Sequence, residues 1–169
     1  MPDTGLFFAS STGNCETIAR IISKFFLPHI VEIHDVMHAQ GKTIEQYKNL
    51  IFGIPTWNRH DIHEDWKDFL PAISSLSLKR KKIAIYGSAD QRTYPDNFAD
   101  SLGMLYLWLI EHKAKIVGSW PVTGYNFRRS QAVIGGKFVG LVLDEDVQPS
   151  LTPIRVEQWV NTLKIEFDL

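Results

Sequence analysis

Between Ser10 and Cys15 the chain reads Ser-Ser-Thr-Gly-Asn-Cys, directly after the apolar run Leu6–Ala9 and directly before an amphipathic stretch. A strand that runs into such a loop and then a helix aims several backbone N–H groups at one small volume. The positive end of the helix dipole points there too, and the combination suits a phosphate. No Lys or Arg occurs between Ser10 and Glu16, so the loop's own donors are neutral. A nucleoside triphosphate site needs a Gly-Lys-Ser/Thr ending and a magnesium ligand. Both are missing, and the pattern points to a monophosphate. The alternative is a turn whose hydroxyls and asparagine merely cap the following helix. Two further segments, Pro55-Thr56-Trp57-Asn58 and Ser88 to Tyr94, each bring an aromatic ring. Trp57 and Tyr94 facing one another would make a slot for a flat heteroaromatic ligand, each stacking contact adding about 0.5–1.5 kcal/mol beyond buried area. The single cysteine, Cys15, excludes an internal disulfide and a cysteine-built metal site.

The elements that would position these loops are short apolar runs alternating with helical patterns. Strands are expected at Gly5–Ala9, Ile30–His34, Leu50–Ile54, Ile83–Gly87, Lys115–Gly118 and Phe138–Leu143. Their near-continuous Ile, Val, Leu and Phe content fits a parallel sheet covered on both faces. Thr43–Gln46 and Asp61–Glu64 read as capping boxes, and Thr152-Pro153 as an N-cap followed by proline in the first turn. Asn14–Phe26 and Asp96–His112 are amphipathic helices, and Val156, Trp159, Val160, Leu163 and Phe167 form one apolar stripe. Such alternation predicts an α/β, doubly wound, five-stranded parallel sheet with helices on both faces. Ligands of such sheets bind beyond the carboxyl ends of the strands, where Ser10–Cys15, Pro55–Asp61, Ser88–Tyr94 and Asp144–Asp146 fall. Ser119–Lys137 fits neither pattern and is expected to interrupt the last strand. A chain of 169 residues suits one domain, and a net charge of −1 gives no push toward nucleic acid or membrane. With no signal-like N-terminus and no spanning run, a cytoplasmic protein is expected.

Taken together, five segments resemble the flavodoxins of the long-chain type. They are Ser10–Cys15, Pro55–Asn58, Gly87–Gln91 with Tyr94–Phe98, Gly118–Tyr125 and Phe138–Asp146. The resemblance covers the chain end to end. It implies strand order 2-1-3-4-5, a single domain over residues 1–169, one non-covalent FMN and no metal. By position, Ser10, Ser11, Thr12, Asn14 and Cys15 would wrap the phosphate, with Gly13 allowing close backbone approach. Pro55, Thr56, Ser88, Ala89, Asp90 and Gln91 would meet the phosphate, ribityl and pyrimidine ends, and Asp146 the ribityl chain. Trp57 would stack on the inner flavin face and Tyr94 on the outer, while the Asn58–Arg59 peptide would turn to accept a proton from flavin N5. The implied function is a low-potential one-electron carrier working between semiquinone and hydroquinone. It would be a monomer, not an enzyme, fed by an NADPH-dependent reductase, with no nucleic acid or membrane partner.

Several residues depart from the family pattern. The charge is close to neutral where relatives are acidic. Arg59, His60 and Arg92 fall inside the flavin loops, where a cation would stabilise the reduced anion and raise the potential. Cys15 stands where threonine is usual, and Ala89 where glycine is common. A quinone reductase on the same fold is the rival enzyme reading; a ring of Tyr94 over the outer flavin face would block its substrates. A regulatory module with impaired FMN binding is the other alternative. A phosphoacceptor domain is excluded, because Ser10-Ser11 and Pro55-Thr56 hold the places where it needs acids.

Overall fold

A computed structural model describes residues 2–56 and 61–169. The parallel sheet is built from β1 (Thr4–Phe8), β2 (Val31–Asp35), β3 (Asn49–Pro55), β4 (Lys82–Ser88) and β5 (Lys115–Val117), in the order β2-β1-β3-β4-β5. Alternate residues of each strand feed opposite faces. Phe7, Leu50, Phe52, Ile83 and Ile85 face one core, closed by helices α2 (Glu64–Ile73) and α3 (Asp100–Glu111). Leu6, Phe8, Ile51, Ala84 and Tyr86 face the other, closed by α1 (Asn14–Lys24) and α4 (Thr152–Glu166). The sheet is therefore doubly wound, as the sequence predicts, and the basic run Lys79–Lys82 lies at the end of β4 away from the ligand loops.

The fifth sheet position is filled in two pieces. β3 pairs with β4 along its whole length, so the free edge of β4 takes β5 at residues 82–84 and a later strand at residues 86–88. Gly118 ends the first piece. Its φ is +78°, a conformation that glycine adopts without strain. There its N–H donates to Glu166 and its carbonyl accepts from the Trp159 indole at 2.7 Å. The insertion then forms β6 (Trp120–Pro121), β7 (Val133–Ile134) and β8 (Lys137–Phe138), a small antiparallel sheet, before β9 (Leu141–Leu143) rejoins β4. Phe138 was expected to begin the last strand. It belongs instead to the insertion, where its buried ring packs on Phe98, Tyr125 and Phe127.

Local signals misplace some boundaries. The Thr43–Gln46 box lies in a 3-10 turn, Gly41–Gln46, whose capping residue makes no side-chain bond. α2 is capped by His63 rather than Asp61, whose carboxylate accepts from Ile62 N–H and pairs with Lys67. α3 starts four residues later than Asp96, because Tyr94–Phe98 is held as a loop. In that loop the Pro95 carbonyl accepts from the Arg128 and Arg129 N–H groups, and Phe98 N–H donates to the Arg129 carbonyl. Thr152 is the first residue of α4 rather than its cap, and its hydroxyl donates to Glu145. Among the described residues, no helix is long and apolar enough to cross a membrane.

Candidate functional site

The carboxyl ends of β1, β3, β4 and β9 bring the expected loops to one edge of the sheet. At the end of β1 the chain turns into α1 through Gly13, whose φ is +88°. An L-residue would be strained here, and a Cβ at this position would meet nothing within 4 Å. Gly13 is also the N-cap of α1, and among the described residues no side chain caps the helix. The alternative of an ordinary capped turn therefore loses its premise. The first intrahelical bond runs from Thr17 N–H to the Gly13 carbonyl, so the N–H groups of Asn14, Cys15 and Glu16 have no partner within the helix. Ser11 and Thr12 are exposed beside them, with Ser10 half-buried. The result is an open cup of neutral donors.

Cys15 contributes its backbone rather than its thiol. The side chain is buried, with Sγ 3.5 Å from Ser88 Oγ, and burial pushes the thiol up to about 11. Buried and raised in this way, the thiol stays protonated despite its place at the helix N-terminus. Thr56 is likewise turned inward. Both its N–H and its hydroxyl donate to the Ser88 carbonyl, at 3.0 and 2.7 Å, and this clamps the loop after β3 to the loop after β4. Pro55 sits in the last pair of that ladder, opposite Ser88. Trp57, Asn58, Arg59 and His60 lie outside the described residues.

The loop after β4 is wired to itself. The Asp90 carboxylate accepts from Arg92 N–H, Thr93 N–H and the Thr93 hydroxyl, at 3.0, 3.0 and 2.6 Å. Burial pushes this carboxyl up, but those hydrogen bonds outweigh it and hold it below the ordinary range. Tyr94 N–H closes the turn on the Asp90 carbonyl, presenting a half-buried ring. Gln91 is buried, its N–H donating to Asp144 and its side-chain oxygen accepting from Asn126 N–H in the insertion. Asn14, Ser88, Ala89, Asp90 and Asp146 line one narrow cleft, so the β1, β4 and β9 loops do meet. Asp146 is exposed, and its carboxyl is raised by partial burial and by the charges of Asp90 and Asp144.

Two organising residues escaped the sequence reading. Asp144, in the sequence only the first residue of a loop beyond a strand end, is fully buried and accepts from Gln91, Asp146 and Val147 N–H groups. An acid directly after an apolar strand was the available signal. His63 was seen as part of a capping box, yet its Nε2 lies 2.6 Å from Ser11 Oγ in the cup. No sequence signal joins residues 52 positions apart.

The chain is similar to known proteins over its whole length. The family model described as flavodoxin matches residues 6–159. A flavodoxin of Synechocystis sp. is 43% identical over 165 residues, covering 97% of each chain. One from Haemophilus influenzae is 41% identical over 170 residues, covering 100% of this chain and 98% of its own. Among solved structures, Fusobacterium nucleatum flavodoxin bound to flavin mononucleotide superposes with a TM-score of 0.92 at 29% identity, covering 99% of both chains. With its sheet order, its uncapped cup and these relatives, the chain belongs to the flavodoxin family.

Proposed function

We propose that this chain is an electron carrier, not an enzyme, that holds FMN non-covalently at the edge formed by its β1, β3, β4 and β9 loops and exchanges single electrons with redox partner proteins. The observation that carries this reading is the uncapped start of α1, opening onto the cleft shared by Asn14, Ser88, Ala89, Asp90 and Asp146. Its chemistry fits the group. A monoester phosphate dianion needs several converging donors, and the cup offers backbone N–H groups and hydroxyls that the helix leaves free. The Fusobacterium neighbour is described as bound to the same flavin.

When bound, FMN supplies a ring that takes up two electrons one at a time. Everything else falls to the chain's own residues. Ser10, Ser11, Thr12 and the N–H groups from Gly13 to Cys15 hold the phosphate. Pro55, Thr56, Ser88 and Ala89 form the clamped floor, and Asp90 and Gln91 fix the turn that presents Tyr94 to one ring face. Asp146 flanks the ribityl chain. Asp90, Asp144 and Asp146 set a negative field at this edge, where partial burial first and then the charges of Asp90 and Asp144 raise the Asp146 carboxyl. The same field opposes negative charge on a ring at the same edge, which makes the second electron strongly reducing. An NADPH-dependent reductase is the class of donor this reading implies, and a monomer leaves the flavin edge free for successive partners.

Stepwise anaerobic reduction of the purified protein tests the reading. Two resolved one-electron steps, with a transient long-wavelength band at half reduction, are expected. A colourless protein that added FMN cannot restore would overturn it.

A further inference from the structure

One hydroxyl of the cup already has a partner, and that partner is ionisable. Ser11 Oγ lies 2.6 Å from His63 Nε2. The other ring nitrogen, Nδ1, accepts the Asp65 N–H at 3.2 Å as the N-cap of α2. An accepting nitrogen carries no proton, so the neutral ring holds its hydrogen on Nε2 and donates it to Ser11 Oγ. Ser11 thus accepts from the ring and keeps its own hydrogen for another acceptor. The His63 side chain is 11% exposed, which holds this geometry in place. Among the described residues, His63 is the one basic side chain hydrogen-bonded to Ser10–Cys15.

We propose that His63 is a positioning residue and an ionisable member of the FMN phosphate site, aiming the Ser11 hydroxyl hydrogen at the phosphate and, when protonated, placing a positive charge one hydroxyl away from it. The inference rests on the FMN reading above. A second proton must go to Nδ1, which then gives up the Asp65 N–H and takes the Asp65 carboxylate, 3.8 Å away, as its partner. The other charges of the surrounding elements are largely committed. On its own segment Asp61 pairs with Lys67, leaving Glu64 and Asp65. On α1, Glu16 pairs with Arg20. At the end of β2 the Asp35 carboxylate accepts from Met37 N–H. α3 touches this segment through Ser101, which donates to the Asp61 carbonyl, and its Asp100 accepts from Gln131. A dianion in the cup therefore favours the protonated ring, and by reciprocity the protonated ring favours the dianion.

FMN affinity of the full chain, freed of flavin, is measured from pH 8.5 to pH 5.5 for wild type, His63→Gln and His63→Ala. The phosphate itself takes up a proton near pH 6 in every variant, so the ratio between variants isolates the ring. Glutamine can accept from Asp65 N–H and donate to Ser11, but carries no charge. At pH 8.5, H63Q is expected within about twofold of wild type, and H63A about fivefold weaker. At pH 5.5, wild type is expected to bind about tenfold more tightly than H63Q. Riboflavin, which lacks the phosphate, should show no such ratio at either pH. Should H63A fail to fold, the H63Q ratio carries the test. A wild-type to H63Q ratio that stays constant with pH, or that riboflavin reproduces, overturns the proposal. Failure to bind FMN at every pH would instead remove the function on which it rests.

Discussion

The loops after β1 and β4 converge on one cleft but are built in opposite ways. From Ser10 to Cys15 the backbone N–H groups make no hydrogen bond among the described residues: Gly13 turns the chain, no described side chain caps α1, and His63 reaches in from another segment to the Ser11 hydroxyl. From Asp90 to Tyr94 the loop is tied down, the Asp90 carboxylate to its own turn and the Gln91 N–H and side-chain oxygen to Asp144 and Asn126. An open loop can take up an anion without first breaking protein hydrogen bonds. A self-wired loop holds an aromatic ring still while the charge on its neighbour changes. The comparison separates phosphate grip from ring placement, and FMN against riboflavin is the natural probe of each.

The largest effect should come from cutting the wiring. Asp144→Ala leaves the N–H groups of Gln91, Asp146 and Val147 without their buried acceptor. A loss of about 3 kcal/mol in urea unfolding is expected, less than the sum of three bonds because water can enter. Riboflavin and FMN affinity should fall together, since the damage is to the ring's side of the site. An FMN-selective loss would mean that the two loops are not separable.

Gly13→Ala should do the reverse. The backbone there has φ +88°, so alanine costs about 1–2 kcal/mol of stability. Its methyl group enters space that is open in the protein alone. FMN affinity should therefore fall further than riboflavin affinity, by about tenfold more. Equal losses for the two ligands in a titration would show that the cup does not hold the phosphate.

Asp90 gives a smaller, pH-dependent effect. Its carboxyl is held below the ordinary range in the folded protein, so the charged form stabilises the fold. That contribution is complete above the unfolded value of about 3.9 and disappears as pH falls through the lower folded value. Asp90→Asn should cost below about 1 kcal/mol at pH 7, since solvent screens the turn. The gap between variant and wild type should close in acid unfolding experiments below pH 4. A gap that persists there would mean the turn is held by something other than this carboxylate.

The difference between the loops also shows what the sequence could reveal. The sheet was legible because strands buried on both faces read as unbroken Ile, Val, Leu and Phe. The turn after β1 was legible because it is local, with its glycine, hydroxyls and asparagine inside six residues. Ring wiring is not local: Gln91 and Asp144 are 53 positions apart. Phe138 looked like strand because apolar residues serve both the sheet and the packing of an insertion. Asp61 looked like a helix cap because Asp at that spacing often is one, but His63 two residues later takes the position.

The smallest effect tests the field rather than the contacts. Asp146 is exposed, and the structure gives its carboxylate no hydrogen bond among the described residues. Removing it should therefore act by charge alone. Two unit charges about 8 Å apart along a largely aqueous path interact by about 0.5 kcal/mol, or roughly 20 mV for a one-electron step. Asp146→Asn should raise the potential of the more reducing step by about that amount and shrink with added salt. Arg92→Ala removes a charge of opposite sign from an exposed side chain in the self-wired loop and should lower the same potential by a similar amount. In the double variant the two shifts should cancel, because distant charges in water add independently. A potential that moves the same way in both single variants would mean that each substitution loosens the Asp90–Tyr94 turn, and that the turn, rather than the field around it, sets the second electron's energy.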